Sequence, residues 1–250
     1  MTQQIRGNRH PDTLTSCTNL ALTYLDLQRP AQALPLALEA LSGRRDLGDD
    51  ERTLAAVHVL ADVQHRLGHD AAVPLAREAL EGRRRVLGDM HATTLASINL
   101  LAGIYDKRGE PQLGLPLHAE CLRAARRTLG NEHPNTLGAM HNLGGAHCER
   151  GDYQSGLPLL REAEAGLRKV VGDEHPDTRH VAAAVHRYAY LAERATEESV
   201  EDKYSAMLAN KALAPAQRST VAKMMKRRAE RLKQEDQEGE EPAARRRRVE

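Results

Sequence analysis

The sequence predicts an all-α protein whose helix pairs stack into a solenoid, followed by a charged C-terminal tail. A Thr-Leu pair recurs at intervals of 40, 41 and 42 residues, and apolar residues recur at helical spacing within each interval. Repeats of this length bury their apolar faces only against neighbouring repeats, which leaves a long surface for binding. Four repeat units open at Thr13-Leu14, Thr53-Leu54, Thr94-Leu95 and Thr136-Leu137, and a degenerate fifth unit opens at Thr178.

The first helix of each unit follows its Thr-Leu pair. In unit 1 the apolar positions Leu14, Cys17, Ala21 and Tyr24 lie on one helical face, and unit 3 repeats the pattern. A break is predicted near residues 28–30, 67–68, 108–109 and 150–151. Three of these breaks contain a glycine, which suits a left-handed helix end.

The second helix of each unit carries a Pro-Leu pair 21 or 22 residues after the opening threonine. Arginines gather in its last turn, at 44–45, 83–85 and 126–127, where cations complement the helix dipole. We place these arginines outside the concave face. Glycines then end the helices, at Gly48, Gly88, Gly130 and Gly172.

The loop before the first helix repeats as His-Pro-Asp-Thr or His-Pro-Asn-Thr, beginning at His10, His133 and His175. We expect the Asp, Asn or Thr of this loop to cap the helix that follows.

These patterns resemble the tetratricopeptide repeat, and more narrowly the 42-residue repeats of the kinesin light chain type. The resemblance rests on Pro-Asp-Thr-Leu-Thr-Ser-Cys-Thr-Asn-Leu-Ala-Leu-Thr-Tyr (11–24), Leu-Pro-Leu-Ala-Leu-Glu-Ala-Leu (34–41) and Leu-Gly-Asn-Glu-His-Pro-Asn-Thr-Leu (129–137). It implies a right-handed α-solenoid of antiparallel helix pairs, with the first helices lining a concave groove that binds peptides. Here the repeats begin at Gly7 without the long heptad region of a kinesin light chain, so attachment to a motor is unsupported.

The chain therefore divides into three predicted segments: a repeat array at 7–192, a capping helical segment at 193–214, and a charged tail at 215–250 that is partly helical and partly disordered.

The net charge of +1 provides no global field for nucleic acid or membrane binding. No apolar run is long enough to cross a membrane, and no signal peptide is visible. Three scattered cysteines indicate reduced thiols in a cytoplasmic or nuclear protein, and we expect the cytoplasm, with the nucleus open through the basic tail.

Catalytic, metal and cofactor sites are not indicated. The loop histidines recur one repeat apart, and no histidine or cysteine pair has zinc-binding spacing. Cys148 lies beside His147 but has no orienting acid, and no glycine-rich phosphate loop is present. Gly144-Gly145 is interpreted as a site of close helix packing. We therefore expect a binding protein that is not an enzyme.

The candidate binding residues lie on the inward face of the first helices, where polar residues vary between units while the leucines repeat. Amides and imidazoles at these positions can pair with a peptide backbone, and cations can hold its acidic side chains. An ordinary solvated face would look similar. The predicted peptide-binding residues are Asn19, His58, Arg66, Asn99, Lys107, His141 and Asn142.

The tail supports a rival hypothesis. Residues 215–250 contain 11 basic and 7 acidic residues, with basic clusters at Lys226, Arg227, Arg228 and at Arg245, Arg246, Arg247, Arg248. Such clusters serve nuclear import, bind RNA or acidic proteins, or only solubilise the chain.

The preferred hypothesis for the whole chain is a protein-interaction scaffold with a protein or peptide partner. The alternatives are a nuclear or nucleic-acid-associated factor acting through the tail, and a fragment of a larger repeat protein.

Overall fold

The structure is a computed structural model that describes residues 10–48, 51–209, 217–227 and 230, the side chains of 197–201 and 204 excepted. The chain forms two compact bodies, the first ending at Tyr188 and the second starting at Ala189. Every regular element in the described part is a helix. The helices are α1 (Pro11–Asp26), α2 (Pro30–Arg45), α3 (Glu51–Leu67), α4 (Ala72–Leu87), α5 (Ala92–Lys107), α6 (Pro111–Leu129), α7 (Pro134–Glu149), α8 (Tyr153–Val171) and α9 (Pro176–Ala209). Residues 217–227 are also helical.

The helices pack in the order that the repeats predict. Helices α1 to α8 form four pairs, each helix packs against the next along the chain, and first helix also meets first helix, as α1 with α3 and α3 with α5. This arrangement is a solenoid of stacked helix pairs, which confirms the predicted fold class.

The first helices end where they were predicted to end, through a left-handed residue. Gly68, Gly109 and Gly151 have positive φ, and Gln28 takes the same conformation in unit 1 with φ 57°. The following amide then bonds back to the last turn, as Arg29 N–H does to the Tyr24 carbonyl at 2.8 Å. Since a side chain in this conformation costs roughly 1 kcal/mol, the glycines are the better residues for the turn.

The helix caps differ from the prediction. The N-cap residues of α1, α5 and α7 are His10, His91 and His133, whose Nδ1 atoms accept the backbone N–H two residues ahead at 3.1 to 3.3 Å. His175 makes the same bond to the Asp177 N–H. The expectation that Asp, Asn or Thr would cap was wrong, because proline occupies the first helical position in three of the four loops and the capping position falls on the histidine before it.

The core is built from alanine, leucine and valine at close helix contacts, as the lack of Trp and Phe requires. The leucine of the Thr-Leu pair packs on a second-helix glycine in units 1, 2 and 4, as Leu14 on Gly43, Leu54 on Gly82 and Leu137 on Gly166. A Cβ at these glycines would collide with the leucine, so the spacing of the helix pair depends on the missing side chain.

The second-helix arginines do more than complement helix dipoles. Consecutive second helices are joined by the ion pairs Arg45–Glu78, Arg84–Glu120 and Arg126–Glu162. Arg83 is instead buried and donates to the Thr93 carbonyl at 2.8 Å and to Ser97 Oγ at 2.7 Å. Arg44 is also buried and bonds to the start of α1. These arginines therefore fix first helices against second helices.

Helix α9 opens the fifth unit and runs without interruption through the predicted boundary between residues 192 and 193. The predicted segments 7–192, 193–214 and 215–250 remain predictions. No helix in the described ranges is both long and apolar enough to span a bilayer.

Candidate peptide-binding groove

A groove of about 660 Å³ lies along the first helices of units 3, 4 and 5. Helices α5, α7 and α9 provide most of its surface, and α6 contributes one buried side chain, His118. All of its residues belong to the first compact body. Four of the seven predicted binding residues line this groove: Asn99, Lys107, His141 and Asn142.

The other three predicted residues lie elsewhere. Asn19 lines a separate concavity of about 270 Å³, together with Thr18 and Arg44. His58 and Arg66 do not line the groove, and both are engaged in bonds within the repeat array. The predicted set is therefore divided between two ends of the first-helix surface.

His58 is tied to the neighbouring unit. Its Nδ1 lies 3.3 Å from Ser97 Oγ, which also receives a bond from the buried Arg83. Burial, which is the largest effect, and the charge of Arg83 together lower the pKa of His58 to about 4, although Asp62 acts in the opposite direction. The ring is therefore neutral near pH 7, and its ring nitrogen belongs to the contact between units 2 and 3.

Arg66 and Lys107 occupy nearly the same position in units 2 and 3 and make the same bond. Arg66 Nη1 donates to the Leu25 carbonyl at 3.3 Å, and Lys107 Nζ donates to the His65 carbonyl at 3.3 Å. Both acceptors lie in the last turn of the preceding first helix, and each carbonyl also accepts a backbone N–H of the turn at 3.0 Å, from Gln28 or Gly68. Each cation thus holds two units together, while Lys107 also lines the groove.

Asn99 lies on α5, lines the groove, and contacts Cys121 of α6. Its side chain hydrogen-bonds Cys121, which lowers the pKa of that thiol, but burial is the larger effect and raises it to about 11. The Oδ1 atom of Asn99 is buried and has no hydrogen-bond partner.

His141 and His180 face each other across α7 and α9. Their ring centroids are 5.2 Å apart with the planes at 72°. Burial and the nearby His180 lower the pKa of His141, while a hydrogen bond that the ring donates to the Asn142 side chain raises it. The two rings give this part of the groove a polar wall.

The sequence prediction missed the pair formed by Asp106 and His118. His118 is 3% exposed and its Nε2 lies 2.7 Å from Asp106 Oδ2. Asp106 replaces His65 of unit 2 and Leu25 of unit 1, and such variation between units was the available signal.

Two glycines make room for the groove. Nine residues after the opening threonine, units 1 to 4 have Leu22, Asp62, Gly103 and Gly145. A Cβ at Gly103 or Gly145 would meet nothing within 4 Å, and both glycines line the groove. Gly144 does pack closely, against the Gly156 carbonyl and Leu160, but for Gly145 the predicted close packing was wrong.

The far wall of the groove is formed by Tyr188 and its neighbours. The Tyr188 hydroxyl donates to Glu149 Oε1 at 3.3 Å, and the guanidinium of Arg187 lies over the Tyr188 ring at 5.2 Å from its centroid. The bond between Tyr188 and Glu149 joins α7 to α9 at the end of the first compact body.

No metal site accompanies the groove, since the described residues contain no group of three or more His, Cys, Asp or Glu placed to hold an ion. In the predicted tail cluster, Lys226 and Arg227 lie in the helix 217–227. Arg228, Arg245, Arg246, Arg247 and Arg248 lie outside the described residues.

The repeat pattern and the helix pairs agree with a family comparison. The model of the tetratricopeptide repeat family matches residues 12–85 and 93–169. This chain belongs to the tetratricopeptide repeat family. No curated protein matches it significantly.

Solved structures similar to this tetratricopeptide repeat chain are kinesin light chain-like proteins. The crystal structure of the kinesin light chain-like, nearly identical TPR-like repeats of Podosopora anserina is 27% identical. It has a TM-score of 0.63 over 77% of this chain and 92% of that one, and a single-substitution variant of the same repeats gives the same values. BtubC (BKLC) from P. vanneervenii, 20% identical, has a TM-score of 0.62 over 82% of this chain and 83% of that one, which shows a shared fold. Tetratricopeptide repeat folds of this kind are non-catalytic scaffolds for protein interactions.

Proposed function

We propose that this chain is a cytoplasmic scaffold that binds an extended segment of a protein partner in the groove of units 3 to 5. The observation that carries the proposal is the opening of the first-helix surface by Gly103 and Gly145, beside the polar side chains of Asn99 and Asn142. The three cysteines are free, which fits a reducing compartment.

Peptide binding suits this groove because it offers hydrogen-bonding groups along an open trough. Asn142 and His141 lie on α7, Asn99 and Lys107 lie on α5, and His180 lies on α9. An extended peptide crossing these helices would present its backbone to amides and imidazoles from three consecutive units. Polar residues that differ from unit to unit would then select a particular sequence.

The test uses a partner captured by the full chain in a pull-down and then measured by calorimetry. We expect Asn99→Ala combined with Asn142→Ala to weaken binding more than about tenfold, roughly 1.4 kcal/mol, because two amides lose their bonds to the peptide. Helical content should stay unchanged, since neither side chain belongs to the buried apolar core.

The matched control is Asn131→Ala combined with Asn135→Ala, two exposed asparagines that do not line the groove. This pair should leave the affinity unchanged. The rival hypothesis places binding in the basic tail, so the chain ending at residue 214 should be compared with the whole chain. If removal of the tail abolishes binding while the groove double variant binds normally, the groove proposal fails.

A further inference from the structure

The first helix of unit 1 exposes a face that is buried in units 2 to 4. On α1 this face runs through Ser16, Leu20 and Thr23, which are spaced four and three residues apart. Leu20 is 45% exposed, whereas the leucines at the same position in units 2 to 4 are 4%, 4% and 8% exposed. In those units the second helix of the preceding unit packs on the first helix. No described residue covers Leu20 in the same way.

Unit 1 also repeats the polar groups with which unit 3 receives its preceding helix. There α4 donates one arginine to each of three acceptors: Arg83 to Ser97 Oγ at 2.7 Å, Arg77 to the Tyr105 hydroxyl at 2.9 Å, and Arg84 to Glu120. At the corresponding positions unit 1 has Ser16, Tyr24 and Glu39, while units 2 and 4 share only the glutamate. The complete acceptor set is therefore particular to units 1 and 3.

These groups are accessible in unit 1. Ser16 and Glu39 are exposed, and Tyr24 is half-buried. The Ser16 hydroxyl donates to the Asp12 carbonyl at 2.9 Å, which leaves its oxygen able to accept a bond. Among the described residues Glu39 forms no ion pair, although the glutamates at its position in units 2 to 4 each pair with an arginine of the preceding second helix.

We propose that this end face, formed by Ser16, Leu20, Thr23, Tyr24 and Glu39, binds an amphipathic helix of a partner protein. The helix has a stripe of alanine and leucine, as α4 has, and an arginine followed six and seven residues later by two more. Its arginines bond to Tyr24, Ser16 and Glu39 in that order, and its apolar stripe covers Leu20. The end face lies outside the groove of units 3 to 5, so this inference does not depend on the proposed function.

The probe is a fluorescent synthetic peptide with the sequence of α4, Ala72–Leu87, titrated with the full chain and followed by anisotropy. A helix of this length is marginal in water and must fold as it binds, so we expect saturable binding with a Kd of about 0.1–1 mM. The same peptide with Arg77→Gln, Arg83→Gln and Arg84→Gln should bind at least tenfold more weakly. Equal binding of the two peptides, or no saturable binding of the first, would overturn the proposal.

Charge reversal locates the site. Glu39→Arg should weaken binding of the original peptide at least tenfold, and Arg84→Glu in the peptide should recover at least fivefold of that loss on this variant. If Glu39→Arg does not change the affinity, the assignment is wrong. Should that variant fail to fold, Glu39→Gln replaces it and should weaken binding at least threefold, with unchanged affinity again contradicting the proposal.

An exposed pair of leucines tests the apolar contact. Leu20→Ala should weaken peptide binding at least threefold, because the peptide's stripe loses the side chain that it covers. The matched control is Leu38→Ala on α2, since Leu38 is 48% exposed and does not belong to the end face. This control should leave the affinity unchanged, and equal losses in the two variants would contradict the placement.

Cys17 reports which molecule covers the face. It is half-buried, whereas the residues at its position in units 2 to 4 are 0% exposed, and Cys121 and Cys148 are buried. Bound peptide should slow alkylation of Cys17 by N-ethylmaleimide at least fivefold, as measured by mass spectrometry. Protection that instead grows with protein concentration when no peptide is present, together with a dimer in sedimentation, would assign the face to a second copy of the chain and overturn the proposal.

Discussion

The first-helix surfaces of units 1–2 and of units 3–5 derive from the same repeat, yet the second carries a groove of about 660 Å³ and the first a concavity of about 270 Å³ at Asn19. At the position nine residues after the opening threonine, units 1 and 2 have Leu22 and Asp62, whereas units 3 and 4 have Gly103 and Gly145. In the first half His58 and Arg66 bond to other parts of the array. In the second half Asn99 has a polar atom without a partner.

The difference shows how a repeat can become specialised without a change in its backbone. Helix pairs, caps and ion pairs recur along the chain because every unit must stack on the next. The open space in units 3–5 arises because side chains are missing at two positions, Gly103 and Gly145. Variation of residue size between equivalent positions is therefore as informative as variation of polarity.

Filling the groove should have the largest effect. Gly103→Leu combined with Gly145→Leu places two side chains in the open space, so partner binding should fall at least about a hundredfold, roughly 2.7 kcal/mol. The protein should not lose stability, because nothing lies within 4 Å of either added Cβ and leucine favours a helix over glycine by roughly 1 kcal/mol. Calorimetry and thermal unfolding measure the two outcomes.

Two controls make this comparison specific. Gly138→Leu adds the same side chain to α7, where a Cβ also meets nothing within 4 Å, but at a residue that does not line the groove. Asp62→Leu fills the equivalent position of unit 2. Both should bind the partner normally. A loss of binding in Gly138→Leu would show that an added leucine on α7 weakens binding without filling the groove, and a loss in Asp62→Leu would show that the two halves do not differ as described.

Much of this architecture could be predicted from the sequence because it is repeated. The helix ends at Gly68, Gly109 and Gly151 follow from local backbone chemistry, and stacking follows from the apolar spacing. The histidine caps were missed because the side chains usually expected at an N-cap were also present in the loop. The Asp106–His118 pair joins α5 to α6, and burial of His118 depends on packing that no local pattern specifies.

The next prediction uses pH to distinguish His58 from His141. Because the pKa of His58 is lowered from 6.5 to about 4, the folded state favours the neutral ring. Its stabilisation is complete above pH 6.5 and is lost as the pH falls from 6.5 towards 4. This loss should be roughly 2 kcal/mol after allowance for solvent screening of a partly buried ring.

His58→Asn keeps an acceptor near Ser97 but does not titrate, so its free energy of unfolding should fall less than that of wild type over this pH range. Urea unfolding of both proteins at several pH values measures the difference. Partner binding at pH 7.5 should be unchanged by His58→Asn and weakened by His141→Asn, which lines the groove. Parallel pH curves for wild type and His58→Asn would refute the assignment.

The smallest effect should separate Arg66 from Lys107, which share one structural role but lie in different halves. Each donates at 3.3 Å to a carbonyl in the last turn of the preceding first helix, Leu25 or His65. Arg66→Met and Lys107→Met keep the aliphatic stem and remove that bond, so each should lower the free energy of unfolding by about 0.5–1 kcal/mol. Arg66→Met also removes the ion pair with Asp62 at 3.0 Å, so its loss should lie at the upper end of this range. Only Lys107 lines the groove, so only Lys107→Met should alter partner affinity, by about threefold or less because the side chain is exposed. Equal changes in affinity for the two variants would mean that binding extends along the whole first-helix surface.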